Sequence, residues 1–442
     1  MKRKLLTQIT NEWRSNLWLL FELLAVSVMI WYIADFTATQ FTRINMPMGI
    51  EADNCHRIIC STVPSDSPDY QPDDSTMHTT AENYRNVIAR LRANPQIEGV
   101  ALLTSYSTPY TMNSSYDRII EVDSPDSLQS ISIPLRTVSP DYIRIFRIHG
   151  TNGETPDELA NILARDEWLL AQDAMIYDRI LANDTTFRDG KWIEYYQKSL
   201  TSDKSYLIGH RFRYVWSDSI SHRIGAIIPP LKRHEYEIPN GGVVTLLNES
   251  DDNQILSASI IARFRPGNAE NITNELLTNS TTLYRSGNVY LSIVNSLADM
   301  RELIQSESST TLRNYAVIMV FLLVSVFLGL LGTFWFRTQQ RTAEIAIRIV
   351  NGATRVGIFS RLISEGLLLL TIVTPLAIGF DWLLCHYELN SCVYEWDFFE
   401  PVRFIATIIV SYLLMALIII LGILFPAYRA MNVDPAITLK DE

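Results

Sequence analysis

The sequence predicts an α-helical membrane protein with four transmembrane helices and a large α+β extracytoplasmic domain inserted between spans 1 and 2. Three observations carry this. Ala316 to Phe336 and Phe404 to Tyr428 are free of charged residues, and about 20 apolar residues suffice to cross roughly 30 Å of hydrocarbon. Two further apolar stretches, Leu17 to Ala34 and Gly366 to Tyr387, are each interrupted by one acid, Glu22 and Asp381. The stretch from Asp35 to about Leu312 is too long for a loop and has the size of a folded domain.

Residues 1–16 form a cytoplasmic N-terminus, because Lys2, Arg3, Lys4 and Arg14 precede the first span and basic residues are retained inside. Span 1 covers 17–35. A cleaved signal peptide shares its basic start and apolar core, but the apolar run here is longer and ends in Trp31 and Tyr32, which suit an interfacial belt. An uncleaved anchor is the expected form.

The extracytoplasmic domain covers 36–293. Ala81 to Arg92 reads as a helix stopped near Asn94-Pro95, and Thr155 to Leu163 as a second. Strand-like runs occur at Gly99 to Leu103, Ile131 to Leu135, Tyr206 to Ile208, Arg223 to Ile228, Val243 to Leu247 and Ser257 to Phe264. Interleaved helices and strands favour a mixed module over an all-β sandwich. Ser61 to Met77 is rich in Ser, Asp, Pro and Thr and reads as an exposed connector. Val294, Leu297, Met300 and Ile304 recur at helical spacing. They predict a stalk helix over 294–313, the alternative being a helix buried against its own domain.

Span 2 covers 314–336, the cytoplasmic coupling segment 337–356, and span 3 357–386, where Pro375 is expected to kink the helix. The loop 387–402 carries Glu388, Glu395, Asp397 and Glu400, whereas 337–356 carries Arg337, Arg341, Arg348 and Arg355. That asymmetry places both termini in the cytoplasm, with span 4 at 403–428 and a tail at 429–442. The net charge of −11 is therefore concentrated outside. With no basic stripe to neutralise phosphates, nucleic-acid binding is excluded.

Arg341, Glu344, Arg348, Asn351 and Arg355 lie at offsets 0, 3, 7, 10 and 14, one helical face if the helix runs through. Glu344 and Arg348 are an i, i+4 pair worth only about 0.3 kcal/mol, so stability alone is not their purpose. Asn351-Gly352 is a turn signal, with Gly352 free to take a left-handed conformation. Such a short amphipathic helix suits docking into another protein, and equally suits resting at lipid headgroups.

The stretch R-T-A-E-I-A-I-R-I-V-N-G-A-T-R, with Glu365 downstream, resembles the FtsX-like permease domain of the MacB, LolC and LolE group of ABC systems. The closing P-A-Y-R-A-M-N-V-D-P-A-I-T-L-K resembles that family's final motif. Ala346 stands where many members have Gly, and Asn351 where Leu is frequent. The resemblance implies that Arg341, Glu344, Ile345, Arg348, Gly352 and Ala353 meet an ATPase subunit. Pro426, Arg429 and Pro435 would be structural at the inner membrane face. It also implies a MacB-like periplasmic domain in a bacterial inner membrane, and a second permease copy or sister permease set in membrane lipid. The need for a periplasmic adaptor or outer-membrane partner is left open. The chain lacks a G-x-x-x-x-G-K-[ST] loop, so no cofactor is expected in it and it is not expected to be an enzyme. ATP and Mg would be held by the partner ATPase. The resemblance further implies transmission of ATPase motion to the external domain for export or extraction, or, as in FtsX, to a cell-wall hydrolase. A membrane sensor is a third class, disfavoured because the terminal segments are too short for an output domain.

Cys55 with Cys60 and Cys385 with Cys392 are candidate local disulfides. Cys55, His56 and Cys60 are alternatively a metal cluster, or the thiols are unpaired. His234-Glu235 begins like H-E-x-x-H but lacks the second histidine, which leaves a zinc-protease site unsupported. Glu22, an intramembrane acid, is either functional or snorkels to the cytoplasmic surface.

Overall fold

The computed structural model describes residues 13–71, 77–111, 113–122, 130–174, 203–237, 239, 241–267, 269–387, 389 and 401–432. Lys2, Arg3, Lys4, Glu388, Cys392, Glu395, Asp397, Glu400 and Pro435 lie outside them.

In chain order the described elements begin with α1 (Trp13–Asn45), β1 (Cys55–Thr62), α2 (Met77–Arg92), β2 (Ile97–Thr104), β3 (Ser115–Glu121) and β4 (Ile131–Val138). There follow α3 (Pro140–Ile145), α4 (Pro156–Ala164), β5 (Trp168–Ala171), β6 (Arg211–Tyr214), β7 (His222–Ile228) and β8 (Val243–Leu246). Next come α5 (Asp252–Ser257), β9 (Ala258–Phe264), α6 (Ala269–Thr278), β10 (Arg285–Ser286) and β11 (Val289–Ser296). The chain closes with α7 (Leu297–Gln340), α8 (Thr342–Val350), α9 (Arg355–His386) and α10 (Pro401–Met431). These residues fall into two compact units, one of the chain up to Thr42 and from Ser309, the other Arg43–Ser308.

In the first unit, α1, α7, α9 and α10 are each long and apolar enough to cross a membrane. They share one core, in which Leu23 and Ile30 of α1 meet Leu330 and Phe334 of α7, Leu369 and Val373 of α9, and Ile419 and Ile423 of α10. Glu22 lies along α7, where a Cβ on Gly329 would come within 2.7 Å of its Oε1. Asp381 is buried, at 2% exposure, beside a small cavity lined also by Ser27, Trp31 and Tyr412.

The Arg43–Ser308 unit is built on one sheet with two parts. β10, β11, β1, β9 and β2 form an antiparallel open half. On one face it carries α2, α5 and α6 through Val87, Leu91, Ile255, Ile272 and Leu276. Its other face carries α3 through Tyr142 and Ile143, and α4 lies beside α3 against β5, β7 and β8 through Leu159 and Leu163. Beyond β2, the strands β4, β3, β6, β7, β5 and β8 succeed one another, and β8 pairs back onto β4 from Leu135 with Val243 to Val138 with Leu246. These strands therefore close a small barrel, filled by Ile119, Ile133, Trp168, Leu170, Phe212 and Ile224. At Gly225 β7 bulges: Trp168 pairs with Ile224 and Leu169 already with Ala226. The extra residue turns Ala226 and Ile228 toward α4 while Ile224 and Ile227 stay inside the barrel. Only glycine fits there, because a Cβ would lie 2.3 Å from Ile162.

Two local expectations differ from the structure. Ser205–Leu207 is a single 3-10 turn, not a strand. Val294 belongs to β11, so the helix that follows starts at Leu297 and not at 294. Leu297, Met300 and Ile304 pack on the core beneath α3 and α4, so the start of that helix is bound to its own unit. The apolar repeat runs across a strand end and a helix start, with Val294 packed in the core under α2, α5 and α6 and Leu297, Met300 and Ile304 in the other core.

Candidate functional site

The segment between the two apolar helices α7 and α9 is the place to look for contact with a partner, because its charges and turn interrupt an otherwise apolar unit. α7 ends at Gln340 and α8 starts at Thr342, so the helix breaks at one residue, Arg341. At the far end the Ala353 N–H donates to the Arg348 carbonyl (2.9 Å) and the Gly352 N–H to the Ile349 carbonyl (3.0 Å). This is a Schellman stop, with Gly352 at φ +91°. Thr354 then caps α9, its Oγ1 accepting from the Gly357 N–H at 3.1 Å.

The break at Arg341 changes which residues face inward. Ile345 (7% exposed) packs against Ile358 of α9 and Ala430 of α10, and Ala346 is fully buried (0%). Glu365 of α9, 3% exposed, sits between Arg337 and Arg341, each with an Nη1 3.5 Å from a different carboxylate oxygen. Two guanidiniums this close offset the cost of burying the carboxylate. Arg341 and Ile345, expected at the partner surface, are therefore placed in the base of the segment.

The outward side holds Glu344, Ile347, Val350, Asn351, Gly352, Ala353 and Val356. Ile347 is 50% exposed, Val350 67% and Val356 72%. Glu344 Oε1 accepts from Arg348 Nε at 3.0 Å across the exposed face. The segment thus has a clamped charged base and an apolar tip rimmed by one ion pair. Such a tip has the chemistry to enter an apolar groove.

Residues 316–435 match the FtsX-like permease C-terminal family. The FtsX-like segment takes in the apolar part of α7, all of α8 and α9, and α10, which bears out the resemblance read from the Arg341 stretch and the closing motif. No curated protein matches the chain. The chain is similar to the periplasmic region of MacB from Actinobacillus actinomycetemcomitans at 10% identity and a TM-score of 0.30, over 59% of this chain and 97% of that one. It is similar to the extracellular domain of the noncanonic ABC-type transporter YknZ from Gram-positive bacteria at 8% identity and 0.29, over 54% and 100%. TM-scores this low assign nothing, and the fold of Arg43–Ser308 rests on its own strand pairings.

Within the FtsX-like segment Pro426 is buried in α10, and the Arg429 guanidinium stacks 4.4 Å from the Trp335 ring of α7. What sequence reasoning missed is the Glu365 clamp and the exposure of Val350 and Val356. A signal existed: Glu365 is a lone acid in an apolar run, and Arg337 and Arg341 stand one turn apart just upstream.

The candidate sites of the other unit do not assemble. Cys55 and Cys60 are unbridged. They lie five residues apart on β1 and on opposite faces of the sheet, about 16 Å apart at the rise of a strand, well beyond disulfide reach. Burial pushes both thiols up to about 12, which leaves them unreactive. His56 stacks on Phe264, ring centroids 4.0 Å apart. Among the described residues no three His, Cys, Asp or Glu side chains converge to hold a metal. Cys385 is buried in α9, and its candidate partner Cys392 lies outside the described residues.

Proposed function

We propose that this chain is the membrane subunit of an ABC transport system of the MacB, FtsX and LolCDE kind, passing the motion of a separate ATPase to an extracytoplasmic unit. Its work is export or extraction of a periplasmic or membrane substrate. The observation that carries this is the α8 segment: an apolar tip on a base clamped by Glu365, inside a stretch that matches FtsX-like permeases.

Transmission needs a contact that moves and a path that does not give way. α8 meets α7 at one residue, and Glu365 ties the end of α7 and that junction residue to α9. A displacement at the tip is then passed on instead of being absorbed by a loose loop. α7 itself is one unbroken helix of 44 residues, about 66 Å at the usual rise. ATP and Mg stay with the ATPase, and this chain contributes position and stiffness. On this reading the four apolar helices lie in a bacterial inner membrane with both termini inside, Arg43–Ser308 lies outside, and the assembly holds a second permease.

The test is co-expression with MacB-like ATPases, purification through this chain, and measurement of ATPase activity. Two variants address the tip, Glu344→Arg with Arg348→Glu, and Ile347→Glu with Val350→Glu. The expected outcome is ATPase activity with the native chain and its loss with both folded variants. An ATPase that stays with both variants moves the contact elsewhere, and no ATPase with the native chain sinks the permease reading.

A further inference from the structure

The segment Pro229–Glu237 leaves the barrel at the end of β7, returns to it at β8, and between these strands makes two grips of different chemistry. The first is Lys232, fully buried at 0% exposure. Its Nζ donates to the carbonyls of Arg43 (2.7 Å), Met46 (3.3 Å) and Glu235 (2.7 Å). Arg43 is in the last turn of α1, where helix carbonyls have no helical partner and a cation is favoured. The Lys232 N–H donates to Met48 at 3.1 Å. Gly49, at φ +77°, lets the chain come so close that a Cβ there would lie 2.1 Å from the Pro230 carbonyl oxygen.

The second grip is Glu235, 8% exposed. Its carboxylate pairs with Arg301 Nε at 2.5 Å and also takes the amide of Gln305. Arg301 and Gln305 are one turn apart near the start of α7. Between the grips, Glu237 accepts from the Arg233 N–H (2.9 Å) and Nε (2.7 Å), which holds the segment in one shape. Arg136 of β4 donates to the Leu231 carbonyl at 3.3 Å, and the Tyr110 N–H to the Arg233 carbonyl at 2.9 Å.

We infer that Pro229–Glu237 is a clasp that fastens the barrel to the end of α1 through Lys232 and to the start of α7 through Glu235. α1 and α7 bring the chain into this unit and carry it out again, so the clasp makes the barrel follow them. A shift of either helix is delivered to β7 and β8 directly, without passing through the open half of the sheet. For its purpose this rests on the transmission reading above, but its geometry is tested without an ATPase.

The experiment uses the full chain in lipid nanodiscs, with spin labels on non-natural residues at Ser219 and Glu307 in one sample and at Ser219 and Ile44 in another. Single narrow distances are expected for both pairs in the otherwise native chain. Arg301→Glu, at a half-exposed position, should broaden the narrow distance for 219 with 307, Leu297, Met300 and Ile304 still holding the helix start, and spare 219 with 44. Adding Glu235→Arg should restore it. Lys232→Met should abolish the narrow distance for 219 with 44. Should Lys232→Met fail to fold, the Arg301 and Glu235 pair still decides. Narrow distances that survive Arg301→Glu overturn the clasp, whatever the ATPase purification shows. Broadening and rescue support it even where no ATPase is found.

Discussion

The two units bury charge in different ways. In the unit of long helices two buried carboxylates pair with arginines across helices, while the buried Asp381 has an Oδ1 with no hydrogen-bond partner among the described residues. Asp35 of α1, 2% exposed, meets Arg403 of α10 at 2.8 Å, and Glu365 of α9 meets Arg337 and Arg341. In Arg43–Ser308 buried charges mostly meet backbone. Arg263 donates to the carbonyls of Ile145 and Glu51, both at 2.5 Å, Lys232 donates to three carbonyls, and Asp173 accepts the Gly241 N–H at 2.6 Å. The cause is the backbone itself. A helix satisfies most of its own N–H and C=O groups, so a buried charge on it is left mainly with other side chains as partners. Loops between strands leave carbonyls and N–H groups to be matched one by one. Charge therefore selects helix neighbours in one unit and fixes loop shapes in the other.

The largest test of that difference is Arg403→Leu. It leaves the Asp35 carboxylate buried beside a residue that cannot pair with it, and breaking a buried pair from one side costs about 3–5 kcal/mol. Thermal unfolding in detergent should show a large drop. Asp35→Leu combined with Arg403→Leu should recover most of it, because no charge is then stranded. A single variant as stable as the native chain would mean that water or lipid reaches Asp35 and that the pair does not select the neighbour.

A smaller effect is expected at Asp173, where a charge meets backbone. Burial pushes its carboxyl up to about 6 from the ordinary 3.8, while one Oδ accepts from Gly241 and the other has no hydrogen-bond partner among the described residues. A carboxyl raised in the folded state contributes stability below its unfolded value and loses it as pH rises through the folded one. Native stability should thus fall between about pH 4 and 6 from this group. Asp173→Asn keeps an acceptor for Gly241 without the charge, and should be more stable by about 2 kcal/mol at pH 7 and equal to native near pH 4. Denaturant titrations at the two pH values check the sign.

How far each unit could be read in advance follows from the same physics. The long helices show themselves through long apolar runs, two of them interrupted by a single acid, a property of composition that needs no knowledge of neighbours. The barrel does not, since its closure depends on β5 with β7 and β4 with β8, parallel pairs between strands far apart in the chain. β1 was hidden for another reason. Its Cys55, His56 and Cys60 carry the chemistry of a site, and their burial in two different cores shows only in three dimensions. At α8 the charged motif and the Gly352 turn were legible, but the face was drawn through Arg341 as though the helix were continuous. With the break at Arg341, that residue turns to Glu365, and the exposed side is the one bearing Ile347 and Val350.

The smallest expected effect concerns Glu344, which pairs with Arg348 in the same unit as the buried clamps but on its exposed face. A solvent-exposed i, i+4 pair contributes about 0.3–0.5 kcal/mol, so Glu344→Ala should leave the unfolding temperature almost unchanged. Glu365→Gln, by contrast, removes the charge that holds Arg337 and Arg341 and should lower it clearly. If Glu344→Ala weakens ATPase association at native stability, the exposed pair acts in recognition. If it lowers stability as much as Glu365→Gln, the pair belongs to the clamp, and the outward face must be sought in Ile347, Val350 and Val356 alone.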